Sequence, residues 1–279
     1  MKLTKKKSEK ISSKFEEYRS AMIEEPEKYI IKENHLGYEV ITQYGFEGVR
    51  LWLRLKYYNF LGYTILFQPG QIPKDCPWQI SQGYDARSEI TKIFKPIIDR
   101  APKSVSLFKD CCKLIFPLRY ENKWYLLYFF DISKINQRNR KFNLWIGGEP
   151  DPSPVISQLA LERNWKIPDA LLVLYSIHNG FGPFQDPAVI WASENIFTAD
   201  KLYPLSYIST DAGRHSYNPA DLLKFYRDGA DNGQFFYRKL QGETHPVTVS
   251  WDHENWEIYN TQSFFRFFEN FIEYEFINS

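Results

Sequence analysis

Apolar residues in the first half of the chain fall into short periodic runs. Ile11, Phe15, Tyr18 and Met22 recur at spacings of three and four among charged residues until Pro26, which predicts an amphipathic opening helix. Val49, Leu51, Leu53, Leu55 and Tyr57 alternate with Arg50, Trp52, Arg54 and Lys56. That period of two predicts a half-buried strand, with residues 61–67 pairing back onto it. Ile90, Phe94, Ile97 and Ile98 predict a second helix despite Pro96, and residues 114–120 and 124–130 predict a hairpin about Glu121-Asn122-Lys123.

The second half is more regular. Ser153 is placed to cap a helix with Pro154 at its first position and Val155, Ile156, Leu159 and Ala160 on one face. Pro168 and Asp169 open another, in which Leu171, Leu174, Tyr175 and His178 follow at helical spacing before Asn179-Gly180 stops it. Strands are expected over residues 188–191, 202–208, 222–226, 234–238, 247–251 and 256–259, with Asp228-Gly229 and Asn232-Gly233 as turn markers. Ser263 then caps a helix in which Phe264, Phe265, Phe267, Phe268, Phe271, Ile272 and Tyr274 leave a narrow polar stripe, so this helix must pack over a sheet. Between the halves, residues 147–154 contain two glycines and three prolines and interrupt every pattern. The expectation is an α+β fold in two parts, residues 1–150 and 151–279, the second a mixed or antiparallel sheet packed by helices.

Composition sharpens this division. The 279 residues carry a net charge of +1, but residues 1–150 hold 26 Lys+Arg against 17 Asp+Glu, and residues 151–279 hold 9 against 17. A field of one sign on each half suits either a charged partner or docking of one half on the other. Hydrophobic residues make up 43% and aromatics 18%, enough apolar surface to close two cores. The three cysteines, with Cys111 and Cys112 adjacent, do not form a disulfide framework. With a lysine-rich start that lacks the apolar stretch of a signal peptide, they predict a reducing, cytoplasmic setting without a membrane span.

Three segments, IPDALLVLYSIHNGFG, LLKFYRDGADNGQFFY and PVTVSWDHENWEIYNTQSFFRFFENFI, follow one another in the second half. Their order and spacing resemble the SUKH superfamily, which includes the Smi/Knr-type cell-wall regulators and many bacterial toxin-immunity proteins. The resemblance covers residues 154–279 and does not reach the first half. It implies structural roles for Gly180 in a backbone turn, Trp251 in the core and Ser263 as a cap. It also implies a protein that works by occupying another protein, as an immunity protein of a toxin–antitoxin pair does. An acidic domain suits a basic nuclease toxin, because it both steers toward that enzyme and competes for the cations that would hold phosphate. The residues expected to form the partner surface are Asp228, Asp231, Asp252, Glu254 and Glu257, with Trp256 and Tyr259 as aromatic anchors.

The alternative is a regulatory scaffold whose basic first half contacts nucleic acid or an anionic surface. Arg50, Trp52, Arg54 and Lys56 mix cations with an aromatic as a nucleic-acid platform does, although cations on an exposed strand serve more commonly to block edge-to-edge pairing. Nothing in the sequence asks for a cofactor or a catalytic role. There is no metal-ligand spacing, phosphate-binding glycine loop, dinucleotide fingerprint or nucleophile elbow. Asp228, Asp231 and Asn232 read as turn chemistry, His178 as an end-of-helix residue, and Cys111 and Cys112 as buried small hydrophobes. An enzyme would need His215, His245 or His253 beside a carboxylate, and adjacency of Asp252 and His253 on a strand does not provide it.

Overall fold

The computed structural model describes residues 3–21, 26–56, 64–184, 189–201, 218–228, 232–238, 247–252 and 257–278. The chain forms an α+β fold in two units that interleave along the sequence. Residues 1–89, 110–144 and 273–279 make the first, and residues 90–109 and 145–272 make the second.

In the first unit, α1 (Lys5–Ala21), α2 (Pro26–Tyr44) and α3 (Phe46–Lys56) follow one another. The segment expected as an alternating strand is therefore a helix. Its polar positions explain why: Glu47, Arg50 and Arg54 stand three and four apart and are exposed, while Val49, Leu51, Trp52 and Leu53 are buried. The alternation of Arg50 and Arg54 with leucines fits both periods, and burial of Trp52 decides for the helix. Trp52 packs edge-on against Phe15 of α1, with ring centroids 5.6 Å apart, and against Phe142, 6.1 Å away. The outward-facing platform that would have combined Trp52 with the cations is thereby ruled out. Gly48 permits the close passage of α2 and α3, since a Cβ there would lie 2.3 Å from the Val40 carbonyl oxygen.

The strands of this unit are β1 (Thr64–Leu66), β2 (Cys112–Tyr120), β3 (Lys123–Asp131) and the first residues of β4 (Phe142–Gly148), hydrogen-bonded in that order. The β2–β3 hairpin matches expectation. Glu121 and Asn122 have φ of 45° and 67°, the positive pair of a two-residue turn whose twist suits the strands. β1 pairs with β2, Thr64 opposite Tyr120, because the segment expected to be its partner is helical. The region with Pro96 divides into α4 (Ala86–Ile93) and a 3-10 turn, Lys95–Ile97. Pro96 sits within the first turn of that element, where a missing N–H costs no hydrogen bond. The next helix is α5 (Pro102–Cys111).

The second unit carries the 3-10 turn, α5 up to residue 109, α6 (Gln158–Glu162), α7 (Asp169–Tyr175), β5 (Phe181–Pro183), β6 (Val189–Ile190), β7 (Phe197–Thr198), β8 (Leu222–Arg227), β9 (Gly233–Tyr237), β10 (Val247–Asp252), β11 (Glu257–Ser263) and α8 (Phe264–Ile277) up to residue 272. Here the end of β4 pairs with β5, followed by β6, β8, β9, β10 and β11, all antiparallel, while β7 pairs with β8. The strand expected over 202–208 lies outside the described residues. α6 begins four residues later than expected. Its cap is Ser157, whose Oγ accepts from the Ala160 N–H and donates to the Ile196 carbonyl, so a tertiary bond selects this serine over Ser153. Val155, expected on the apolar face of this helix, is instead 66% exposed.

α7 and α8 follow their predicted patterns except that α7 ends at Tyr175, before His178, and that on α8 Tyr274 is exposed while Glu275 is buried. Leu171, Leu174, Tyr175 and His178 are all inaccessible, and Gly180 takes φ of 90° with Ala192 N only 3.2 Å from where a Cβ would stand. On α8, Phe264 and Phe267 lie 5.4 and 5.5 Å from Phe225 of β8, which places the aromatic stripe over the sheet. Trp251 lies in a core cluster with Ala199, Leu222, Phe235 and Val249, and the Ser263 hydroxyl accepts from the Arg266 N–H at 3.3 Å. Among the described residues no helix is long and apolar enough to cross a membrane.

Candidate partner-binding surface

Of the acidic residues singled out from the sequence, Asp228 follows β8, Asp252 ends β10 and Glu257 begins β11, and the register shows which end of the sheet these positions share. Arg227, the last residue of β8, pairs with Gly233, the first of β9. Gly233 in turn pairs with Trp251, which pairs with Ile258. Asp252, the last residue of β10, stands opposite Glu257, the first of β11. Two hairpins thus turn back at the same end of the second unit's sheet. The connecting segments, 228–232 and 253–256, hold Asp228, Asp231 and Glu254. Over residues 227–232 and 251–257 there are five carboxylates against one arginine, Arg227, which is exposed.

Each position has its own physical role. Asp228 is half-buried and closes the first hairpin: its N–H donates to the Asn232 carbonyl at 3.1 Å, while its carboxylate accepts from the Asn232 N–H and side-chain amide, both at 2.9 Å. That is turn chemistry, which fixes the hairpin and leaves less of this carboxylate for a partner. Asp252 and Glu257 are direct cross-strand neighbours in the backbone register. Tyr259 pairs with Ser250, farther from the turn. Asp231, Glu254 and Trp256 lie outside the described residues, as do His215, His245 and His253.

His178 and the three cysteines, away from this end, are buried. His178 is fully buried, with Nδ1 3.0 Å from the Gly148 carbonyl oxygen. A carbonyl only accepts, so Nδ1 carries the proton of the neutral ring. The ring stacks on Phe181 at 5.4 Å and meets Phe94 edge-on at 5.8 Å. Burial, partly opposed by the Gly148 bond, pushes its pKa down to about 4. Cys76, Cys111 and Cys112 are free and buried; desolvation raises all three, Cys111 to about 11. Among the described residues no group of three or more His, Cys, Asp or Glu side chains could hold a metal ion.

Two features of the second unit escaped the sequence reading. Lys224 on β8 is 1% exposed, and its Nζ lies 5.5 to 5.9 Å from the ring centres of Trp191, Phe235 and Trp251. The one sequence signal for this burial is its spacing of two from Leu222 within the strand. The other is Arg163, which reaches the buried carboxylate of Asp200 at 2.6 Å from a helix end with no sequence signal for that pairing.

Comparison with protein-family models, with curated proteins and with solved structures finds no match for this chain.

Proposed function

We propose that this chain is a protein-binding module that works by occupying a basic partner, and that the acidic hairpin end of the second unit makes the contact. The observation that carries this reading is the register, which sets Asp228, Asp252 and Glu257 at one end of one sheet, where the connecting segments add Asp231 and Glu254 in sequence and the one arginine is Arg227. Such a single-sign patch accelerates encounter with cationic surfaces and discriminates against acidic ones.

The sharper form of the proposal is immunity. The resemblance of residues 154–279 to the SUKH superfamily supports a partner that is a toxin, and the acidic end supports one that acts on a polyanion, such as a nuclease. The module would cover the cations that the toxin needs for phosphate and so exclude its substrate.

The test is affinity capture from the native host with the intact chain as bait, beside the variant Asp252→Asn/Glu254→Gln/Glu257→Gln. The proposal expects a basic toxin domain on the wild type that is reduced at least ~10-fold on the variant, the effect of losing several rim charges. Recovery that is equal on both baits would refute the assigned surface.

A further inference from the structure

The first unit contains a concave site of a different character. Thr4, Lys5 and Ser8 at the start of α1, Glu47, Arg50 and Arg54 on α3, and Thr64 on β1 line a groove of about 440 Å³. Three cations and three hydroxyl side chains face it with one carboxylate, and Leu3, Leu51 and Leu66 complete its walls. Arg50 and Arg54 are exposed and project from one stripe of α3, while Leu51 and Leu53 beside them are buried, so the helix that fills the core also fixes the cations.

Elsewhere among the described residues four arginines meet a carboxylate. Arg87 reaches Asp110, Arg119 reaches Asp75, Arg163 reaches Asp200 and Arg238 reaches Asp221. Among the described residues no ion pair engages Lys5, Arg50 or Arg54. Mutual repulsion of three cations around one concavity is a cost that an anionic ligand removes, and guanidinium groups bind phosphate oxygens in bidentate fashion.

We propose that this groove binds a small organic phosphate of nucleotide size. Its volume falls within the range of small-molecule sites, roughly 300 to 1,000 Å³. Lys5, Arg50 and Arg54 supply the charge, and Thr4, Ser8 and Thr64 supply hydroxyl groups for the remaining oxygens. Glu47 opposes the anion and favours a ligand that also presents a hydrogen-bond donor, as a ribose or base does.

Titration calorimetry of the full chain with ADP and with inorganic pyrophosphate, at low and at raised salt, tests this site. The expected result is saturable 1:1 binding of ADP that weakens at least ~10-fold in Arg50→Glu/Arg54→Glu and tightens for pyrophosphate in Glu47→Gln. All three positions are exposed, and the urea midpoints of the variants serve as the control for folding. Absence of saturable ADP binding, or affinity unchanged by the double charge reversal, would overturn the proposal. Binding of a dT20 oligonucleotide that ADP does not displace would overturn it in favour of a nucleic-acid groove.

Discussion

His178 makes the stability of the second unit depend on pH in a direction and size that the structure specifies. The ring is enclosed by Phe94 and Phe181, bonded to Gly148, and neutral down to about 4, against an ordinary value of 6.5. In the unfolded chain the same imidazole takes up a proton near 6.5. The folded-state value is thus depressed, and between pH 6.5 and 4 the unfolded state binds one proton that the folded state does not. Stability from this group is complete above pH 6.5, falls by about 1.4 kcal/mol per pH unit below it, and stops falling near pH 4, for a total of about 3 kcal/mol. His178→Asn removes the titration while keeping an amide donor at the position of Nδ1. It sacrifices ring packing, so at pH 7 the variant is expected to be about 2 kcal/mol less stable. Urea unfolding of both proteins at pH 7, 5.5 and 4.5 reads the difference, since other groups titrate alike in each. The account predicts that the deficit of the variant shrinks steadily as pH falls and vanishes or reverses by pH 4.5. A deficit that stays constant from pH 7 to 4.5 would refute the reasoning.

Two further outcomes follow from close packing. Gly48→Ala places a Cβ 2.3 Å from the Val40 carbonyl oxygen, so α2 and α3 must separate, and a loss of about 2 kcal/mol or more in chemical denaturation is expected. The buried thiols of Cys76, Cys111 and Cys112, all pushed toward their protonated forms, should resist a thiol-labelling reagent at pH 8 in the folded protein and react together in urea; rapid labelling of the native chain would contradict their burial.

The legible parts of this fold are those in which local chemistry and tertiary environment agree. Glu121-Asn122 between two apolar runs specified a hairpin, and Asp228 with Asn232 specified another, because each turn is closed by its own residues. α7 and α8 were legible because their apolar faces are wide and their termini carry stop or cap residues. Residues 46–56 were not, since arginines four apart and leucines two apart satisfy both periods and only the burial of Trp52 between Phe15 and Phe142 separates them. The start of α6 was not legible either: Ser153 and Ser157 are locally equivalent caps, and a bond to Ile196, far away in sequence, chooses between them.

The same distinction governs the functional surfaces. The acidic residues were individually visible in the sequence, but their convergence depends on cross-strand register, which sets position 228 at the same end of the sheet as 252 and 257. The groove of the first unit needed α3 to be a helix before Arg50 and Arg54 could share one stripe, and it needed α1 and β1 to complete the walls. Lys224 was not legible: lysine is seldom buried, and only the rings of Trp191, Phe235 and Trp251 around it account for its position.

Hydrogen exchange of the intact chain, measured alone and in complex with the partner recovered by capture, bears most directly on the central claim. The account predicts slowed amide exchange on binding at residues 228–232 and 252–257, the two turns at the acidic end of the sheet. Protection confined to other parts of the chain, with these turns unchanged, would contradict it.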